Sequence, residues 1–423
     1  MGQSVSAMAA SGKPAKKRSW WWVVHHWAGL KMSLFLTFVL ATGTLATLSR
    51  EIDWLLIPAM RAEQQDAPPA SWGEMYASIH AAVPDARIER ISAPYDFFFA
   101  AEAIAVDGKG DRFRVHLNPY TAEVQGISPW FNAQRLFREL HRHLMVPVKY
   151  GLPFVGILSI PMLASLVTAF WVYKKWWRGF FRLPRLRLPG RGKRVGDARR
   201  FTGDLHRFAG LWSLWFIALI GITGFWYLVE WGGGDAPEAL RHSRPVAEAR
   251  VDSHSLDRLV ADARKAYPAL EVTSVYFPAG KRGGVVVMGQ GDAVLVRERA
   301  NTVLMDAETG EVVQIQKGED LTPHQRIAEG ADPLHFGTWA LGHPMGIWVR
   351  LLWFLFGAIL TGLAVTGVMI FSMRLKPADR PAHVTNASFM GDMWRGMGRL
   401  RLPALALTLL GLAMAAYNIA SAV

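Results

Sequence analysis

The chain contains no cysteine among its 423 residues. That absence removes disulfides, thiolate nucleophiles, iron–sulfur clusters and covalently attached c-type haem, each of which needs sulfur. A metal cofactor would have to rely on histidine, carboxylate or methionine. No Gly-rich dinucleotide fingerprint follows a strand, and neither a P-loop nor a His-Glu-x-x-His run is present. There is accordingly no sequence case for bound nicotinamide, ATP or zinc-protease chemistry. Acidic residues are in deficit, 34 Asp and Glu against 47 Lys and Arg, which leaves a net charge of +13.

An excess of positive charge can mark a nucleic-acid partner, but its placement here argues for topology and against nucleic acid. Lys13, Lys16, Lys17 and Arg18 precede the first apolar run. KKWWRGFFRLPRLRLPGRGKRVGDARR, from Lys174, separates the second from the third, and Arg374, Lys376 and Arg380 follow the fourth. Short basic segments beside apolar helices are what the positive-inside rule places in the cytoplasm. With 51% hydrophobic residues, 18 Trp and 22 Phe, the chain is too apolar and too segmented for one soluble core. Its long apolar runs place it in a membrane, in contact with lipid.

One of those runs repeats another. Moving Phe201–Trp231 back by 181 positions puts His206 on His25, Ala209-Gly210-Leu211 on Ala28-Gly29-Leu30, Phe216 on Phe35 and Thr223-Gly224 on Thr42-Gly43, without a gap. In each run a histidine is followed four residues later by glycine, one turn along the same helical face. A histidine beside a smooth glycine face, twice, points to a flat cofactor between helices.

The repeat extends over whole half-chains. Residues 1–19 read as a basic cytoplasmic leader and 20–48 as the first span, with Trp20, Trp21 and Trp22 at the interface. A cleaved signal is the rival reading of that span, and its match to the third span favours retention. Residues 51–134 form a first insert, in which SWGEMYASIHAAVP reads as a helix and RIERISAP, DFFFAAEAIAVDG and DRFRVHLNPYTAEVQGI as strands and turns. The second span covers 147–173, a basic loop 174–204 and the third span 206–230, with GlyGlyGly at 232–234 as a linker. The second insert, 232–330, repeats the order of the first: SLDRLVADARKAYP as a helix, then ALEVTSVYFP, GGVVVMGQG, AVLVRERAN and TVLMDAETGEVVQIQ as strands. Asn118–Val124 parallels Asp306–Val312 as a tight turn. The fourth span covers 346–371, and 402–423 reads as a fifth span with no counterpart. Leu140-His141 and Leu334-His335 precede the even-numbered spans; aligning Val167-Thr168 with Val365-Thr366 then needs a four-residue gap.

These pieces resemble the PepSY-associated transmembrane family: histidine-aromatic-Ala-Gly-Leu spans, Leu-His before the even-numbered spans, and helix-plus-strand inserts ending in a Thr-Gly-Glu-Val-like turn. The resemblance covers nearly everything from Trp20 to Phe371. It implies a membrane α-helical fold in the bacterial inner membrane, with a four-helix core built from two tandem span-insert-span repeats. It also implies a cytoplasmic amino terminus and two periplasmic α+β inserts. The family includes inner-membrane reductases linked to ferric-siderophore uptake that carry two haem b groups.

On that topology His25 and His206 lie at the cytoplasmic ends of their helices, and His141 and His335 near the periplasmic ends of theirs. Each pair would supply both axial ligands of one haem iron, a coordination suited to electron transfer. Electrons would pass from a cytoplasmic reductant, flavoprotein or quinol to a ferric siderophore or other periplasmic acceptor. Two other functions fit the same resemblance: a cytochrome b serving a protein partner or non-iron acceptor, and a haem-free scaffold that regulates a periplasmic peptidase. His143 rivals His141, and His343 rivals His335. His26 reads as interfacial, and His80, His116, His242, His254 and His324 as solvated residues of the inserts. Arg350 and Lys149 read as side chains that snorkel to the outer interface, with pairing to haem propionates as a second role.

Overall fold

The computed structural model describes residues 19–184, 194–237, 252–277, 284–339, 345–375 and 389–422. Most of the leader, the middle of the basic loop, Lys376, Arg380, His242 and His343 lie outside the described residues, as does the side chain of His254. Four helical stretches among the described residues are long and apolar enough to cross a membrane: Val148–Val172, Leu214–Gly234, Gly346–Arg374 and Met390–Ser421. The helices α1 (Trp20–Leu30) and α2 (Ser33–Thr47) make a fifth span when taken together, with a 64° bend between them. The span expected over 20–48 is therefore present as two helices broken at Lys31 and Met32; Lys31 Nζ donates to the carbonyl of Gly396, 3.0 Å away.

Between the first two spans come α3 (Ser49–Leu56), α4 (Trp72–Ala82), strands β1 (Arg87–Ser92), β2 (Ala101–Val106), β3 (Arg112–Leu117) and β4 (Val124–Pro129), and α5 (Ala133–His143). The second span is α6 (Val148–Gly156) followed by α7 (Ser159–Val172). The third joins α8 (Arg194–Trp212) to α9 (Leu214–Val229). The second insert holds α10 (Ser253–Ala266), β5 (Glu271–Tyr276), β6 (Val285–Gln290), β7 (Thr302–Met305), β8 (Val312–Gln316) and α11 (Pro323–Phe336). It leads to α12 (Gly346–Arg374), α13 (Phe389–Met397) and α14 (Arg401–Ala422).

The two inserts share one sheet, in the order β4-β3-β2-β1-β5-β6-β7-β8. Equivalent strands β1 and β5 pair antiparallel through Arg90↔Tyr276, Ile91↔Val275 and Ser92↔Ser274. This is the self-complementary contact of a two-fold dimer, made here inside one chain. Helices α4 and α10 cover one face, burying Ile79, Leu256, Ile91, Val275, Val287 and Val303 in a common core. Each buried aliphatic side chain of this kind is worth about 1.5–3 kcal/mol. Asp257 of α10 accepts from Gly73 N at 2.8 Å and from Ser71 Oγ at 2.9 Å, so one insert caps the other's helix. The repeated turns match in detail. Asn118 and Asp306 each accept two backbone N–H groups from residues two and three further on, and Ala122 (φ 57°) occupies the left-handed position that Gly310 (φ 74°) holds in the second copy.

One expected strand is absent. AVLVRERAN runs as irregular chain and a short turn of helix because Arg297 leaves the ladder for Glu329 and Asp332 of α11, at 2.8 and 2.7 Å. His116 is another correction. It is 1% exposed on β3, with Nε2 2.8 Å from Ser128 Oγ, and burial lowers its pKa.

Candidate cofactor site: two histidine pairs

Two levels of packing organise the bundle. At one level α1 lies against α7 and α8 against α12; at the other α2 lies against α12 and α9 against α7. Gly357 lets α2 and α12 approach closely, and Thr44 and Thr361 meet there at 3.3 Å, the small-residue contact expected between helices in lipid.

Between the helices of the first level lies a cavity of about 640 Å³ whose lining includes both His25 and His206. Its walls are apolar, with Leu36, Leu40, Leu166 and Leu363 among them. The glycines one turn beyond the histidines keep them smooth: a Cβ on Gly29 would meet nothing within 4 Å, and one on Gly210 only Leu363 at 3.8 Å. Arg207 and Arg374 add cationic groups to the lining. Arg207 gives Nη1 to Asp204 at 2.8 Å, while its buried Nε has no partner among the described residues. His26 also lines this cavity, stacked on Trp22 at 4.8 Å and near Phe371 at 5.3 Å. It is thus part of the cavity wall, where sequence alone read it as interfacial.

The second level brings His141 and His335 together, with ring centroids 6.1 Å apart and planes inclined by 37°. This is room for one metal atom between two imidazoles with bonds of about 2 Å. Helix α5 carries His141 and is set by two caps: Asn132 accepts from Arg135 N at 3.0 Å, and Asp53 of α3 accepts from Ala133 N and Gln134 N at 2.7 and 2.9 Å. Helix α11 carries His335. It opens on a Thr322–Gln325 capping box with Pro323 and closes on Gly337 in the left-handed conformation. The fit to the bundle is tight, since a Cβ on Gly43 would come within 2.5 Å of the His141 ring.

All four histidines are held in the same way, through Nδ1. His25 Nδ1 lies 3.1 Å from Ser165 O and 3.2 Å from Thr168 Oγ1; His206 Nδ1 lies 2.9 Å from Thr366 Oγ1. His141 Nδ1 lies 2.9 Å from Val39 O, and His335 Nδ1 2.7 Å from Thr223 Oγ1. Val39 offers only a carbonyl. The hydroxyls of Thr168, Thr366 and Thr223 donate to the carbonyls four residues back, Ala164, Gly362 and Leu219. The Ser165 and Val39 carbonyls can only accept, so the rings of His25 and His141 carry their proton on Nδ1 and present an unprotonated Nε2; at His206 and His335 the partner is a threonine hydroxyl, and the same tautomer follows when its proton goes to its own helix carbonyl. That tautomer, fixed by a neighbour's oxygen, is the one a metal-ligating histidine adopts.

The two rivals on α5 differ in their surroundings. His143 has no hydrogen bond to its buried Nδ1, whereas His141 faces His335. No three His, Asp or Glu side chains converge on a metal site among the described residues. A family model described as the PepSY-associated TM region matches residues 21–374. The chain belongs to the PepSY-associated transmembrane family. The match takes in both histidine pairs and both inserts of the PepSY-associated region, and leaves α13 and α14 outside. No curated protein matches the chain.

Arg350 and Lys149 part company. Lys149 is exposed beside Tyr150, as an interfacial lysine should be. Arg350 does not snorkel. It is 0% exposed and binds Glu51 at 2.6 Å and Asp96 at 2.7 Å, over the ring of Tyr95. Sequence reading missed these partners because the two carboxylates lie some 250 to 300 positions away.

Proposed function

We propose that the chain is an oxidoreductase of the bacterial inner membrane that carries two haem b groups and moves electrons across the bilayer. The donor is a cytoplasmic reductant, flavoprotein or quinol, and the acceptor is periplasmic, a ferric siderophore or ferric iron. The observation that carries this reading is the common state of His25, His206, His141 and His335: each has Nδ1 hydrogen-bonded to an oxygen on a neighbouring helix and Nε2 without a hydrogen bond among the described residues. A bare metal ion would find two protein ligands at either pair, where closed sites usually have four; a porphyrin iron asks the protein for two.

The residues present fit that group. The inner cavity is lined mostly by apolar side chains and by the open faces of Gly29 and Gly210, as a macrocycle requires, and Arg207 and Arg374 are cations suited to its two acid side chains. Bound haem, held by His25 with His206 and by His141 with His335, would supply one-electron redox chemistry. The chain's own residues set orientation and exclude water: the threonine and carbonyl acceptors fix ring rotation, and the glycine faces allow close approach. The helical path from His206 to Thr223, partner of His335, rises about 25 Å at 1.5 Å per residue. The two pairs thus divide a hydrocarbon layer of roughly 30 Å. Basic segments beside the His25 and His206 end support a cytoplasmic assignment for that pair.

The test is a reduced-minus-oxidised visible spectrum with pyridine haemochrome quantitation on purified wild type, His206→Ala and His335→Ala. About two low-spin b haems per chain, one lost or altered in each variant, is the expected result. A well-folded wild type that stays colourless when expressed with ample haem would sink the reading.

A further inference from the structure

Arg138 lies on α5 one helical turn before His141, on the same face. It is half-buried, and among the described residues it makes no hydrogen bond and no ion pair. A guanidinium cannot shed its proton to escape this situation. The charges nearest to it are Arg142, Asp332, Arg50 and Glu139. Asp332 is already engaged, with Oδ2 2.7 Å from Arg297 Nη1 and Oδ1 2.6 Å from Tyr227 Oη. Glu139 pairs with Arg135. Arg50 lies over the Tyr95 ring at 4.3 Å and makes no ion pair among the described residues. Burial first, and then Arg142, push the Arg138 guanidinium below its ordinary pKa, whereas Arg297, also substantially buried, is held up by Glu329 and Asp332.

The repeat sharpens the point. Asp332 stands three residues before His335 as Arg138 stands three before His141, so equivalent positions above the two histidines carry opposite charges. The acid has its arginine; the arginine has no acid. A cation held partly out of water beside other arginines, with no counter-charge paired to it among the described residues, is unfavourable, and groups of this kind gather where a ligand supplies the missing charge.

We propose that Arg138, backed by Arg50, is a carboxylate-binding residue of the outer site. The acid group it meets arrives with a ligand and has one of two sources: the side-chain carboxylate of the outer cofactor, or a carboxylate of the periplasmic acceptor. This rests on the haem reading above.

The experiment compares wild type, Arg138→Gln and Arg138→Lys as purified full-length proteins, with gel filtration and circular dichroism as folding controls. Haem content and the redox titration of the outer centre are measured first. Oxidation of the dithionite-reduced proteins is then followed with ferric citrate, an anionic chelate, and with hexaammineruthenium(III), a cation. If the cofactor supplies the acid, Arg138→Gln loses about one haem per chain or shifts the outer centre to lower potential, and Arg138→Lys recovers part of the loss. If the acceptor supplies it, haem content and potentials stay unchanged. Ferric citrate then reacts about tenfold more slowly, the loss of about 1.4 kcal/mol, while the ruthenium rate holds. Haem content, potentials and both rates all within twofold of wild type in Arg138→Gln would overturn the proposal. If Arg138→Gln fails to fold, Arg138→Lys decides alone: wild-type values on every measure overturn it, because a single ammonium does not replace a guanidinium fork. A colourless wild type overturns the haem reading itself, and this inference with it.

Discussion

His335 Nδ1 lies 2.7 Å from Thr223 Oγ1, and that hydroxyl lies 2.7 Å from the carbonyl of Leu219, its acceptor one turn back, which leaves the hydroxyl oxygen to accept from a protonated Nδ1. The threonine thereby converts a helix carbonyl, which faces along its own helix, into an acceptor that faces across to another. His206 and Thr366 repeat the arrangement at the other level, with Thr366 donating to Gly362. His141 does without a threonine and reaches the Val39 carbonyl directly, sharing it with Thr42, the repeat counterpart of Thr223.

Replacing Thr223 by valine keeps the shape and removes the acceptor. The His335 ring then loses its fixed tautomer, and the outer cofactor should be held about 10- to 100-fold more weakly, the usual effect of losing such a partner. Haem remaining per chain after competition with apomyoglobin measures this. Thr223→Ser should hold haem as wild type does, and Thr366→Val should move the loss to the inner site. Equal retention in Thr223→Val and wild type would show that the hydroxyl does not orient a ligand.

Gly29 and Gly43 lie on the same broken span and should respond oppositely. A Cβ on Gly29 enters open space, while one on Gly43 meets His141 at 2.5 Å. Gly29→Ala should therefore fold normally and keep the inner centre, and Gly29→Phe should fill the cavity and exclude it. Gly43→Ala should displace the His141 ring and alter the outer centre alone. Spectra that distinguish the two haems by potential would report this, and an unaltered outer centre in Gly43→Ala would contradict the packing.

Much of this was legible because the chain states its plan twice. The shift of 181 positions places His25 with His206, the repeated turns place Ala122 with Gly310, and the helices and most strands of both inserts fall where periodicity expects them. What escaped is non-local. Neither β1 nor β5 carries a mark that it will pair with the other, since each alternates as any half-buried strand would. AVLVRERAN has strand-like composition, and the salt bridges of Arg297 to α11 override it. His116 sits on the polar face of the sheet, where its composition marks an exposed position, yet its ring is buried against Ser128 of β4. Arg350 read as a snorkelling residue because hydropathy counts depth in the membrane but knows nothing of Glu51 and Asp96.

The polar face of the sheet should make insert stability depend on pH. Burial alone would raise the Glu102 carboxyl, but Arg114, Arg50 and Arg90 outweigh it and hold it at about 2, against an ordinary value of 4.5. A depressed carboxylate contributes its full stability above the ordinary value and loses it as pH falls through the folded value. The window is therefore pH 4.5 down to about 2, and the contribution is roughly 3 kcal/mol at 1.36 kcal/mol per unit. Thermal unfolding of Glu102→Gln should be lower than that of wild type at pH 7 and should converge on it in that acid window. Parallel pH profiles would rule out this role.

Arg350 makes the last prediction, because its two possible roles diverge in a measurable way. A propionate-binding arginine would lose haem on replacement while the protein stayed folded. The contacts point elsewhere: Arg350 joins the fourth span to Glu51 at the head of α3 and to Asp96 in the turn between β1 and β2, at 2.6 and 2.7 Å. Removing it leaves two carboxylates facing each other in a buried space, and breaking a buried pair in this way costs about 3–5 kcal/mol. Arg350→Met should therefore lower the unfolding temperature and expose the segment around Tyr95 to proteases, with haem lost only as the protein unfolds. Arg350→Lys should recover little, because one ammonium cannot reach two carboxylates in the geometry of a guanidinium fork. Haem loss at an unchanged unfolding temperature would return Arg350 to the cofactor site and remove it as the tie between membrane and sheet.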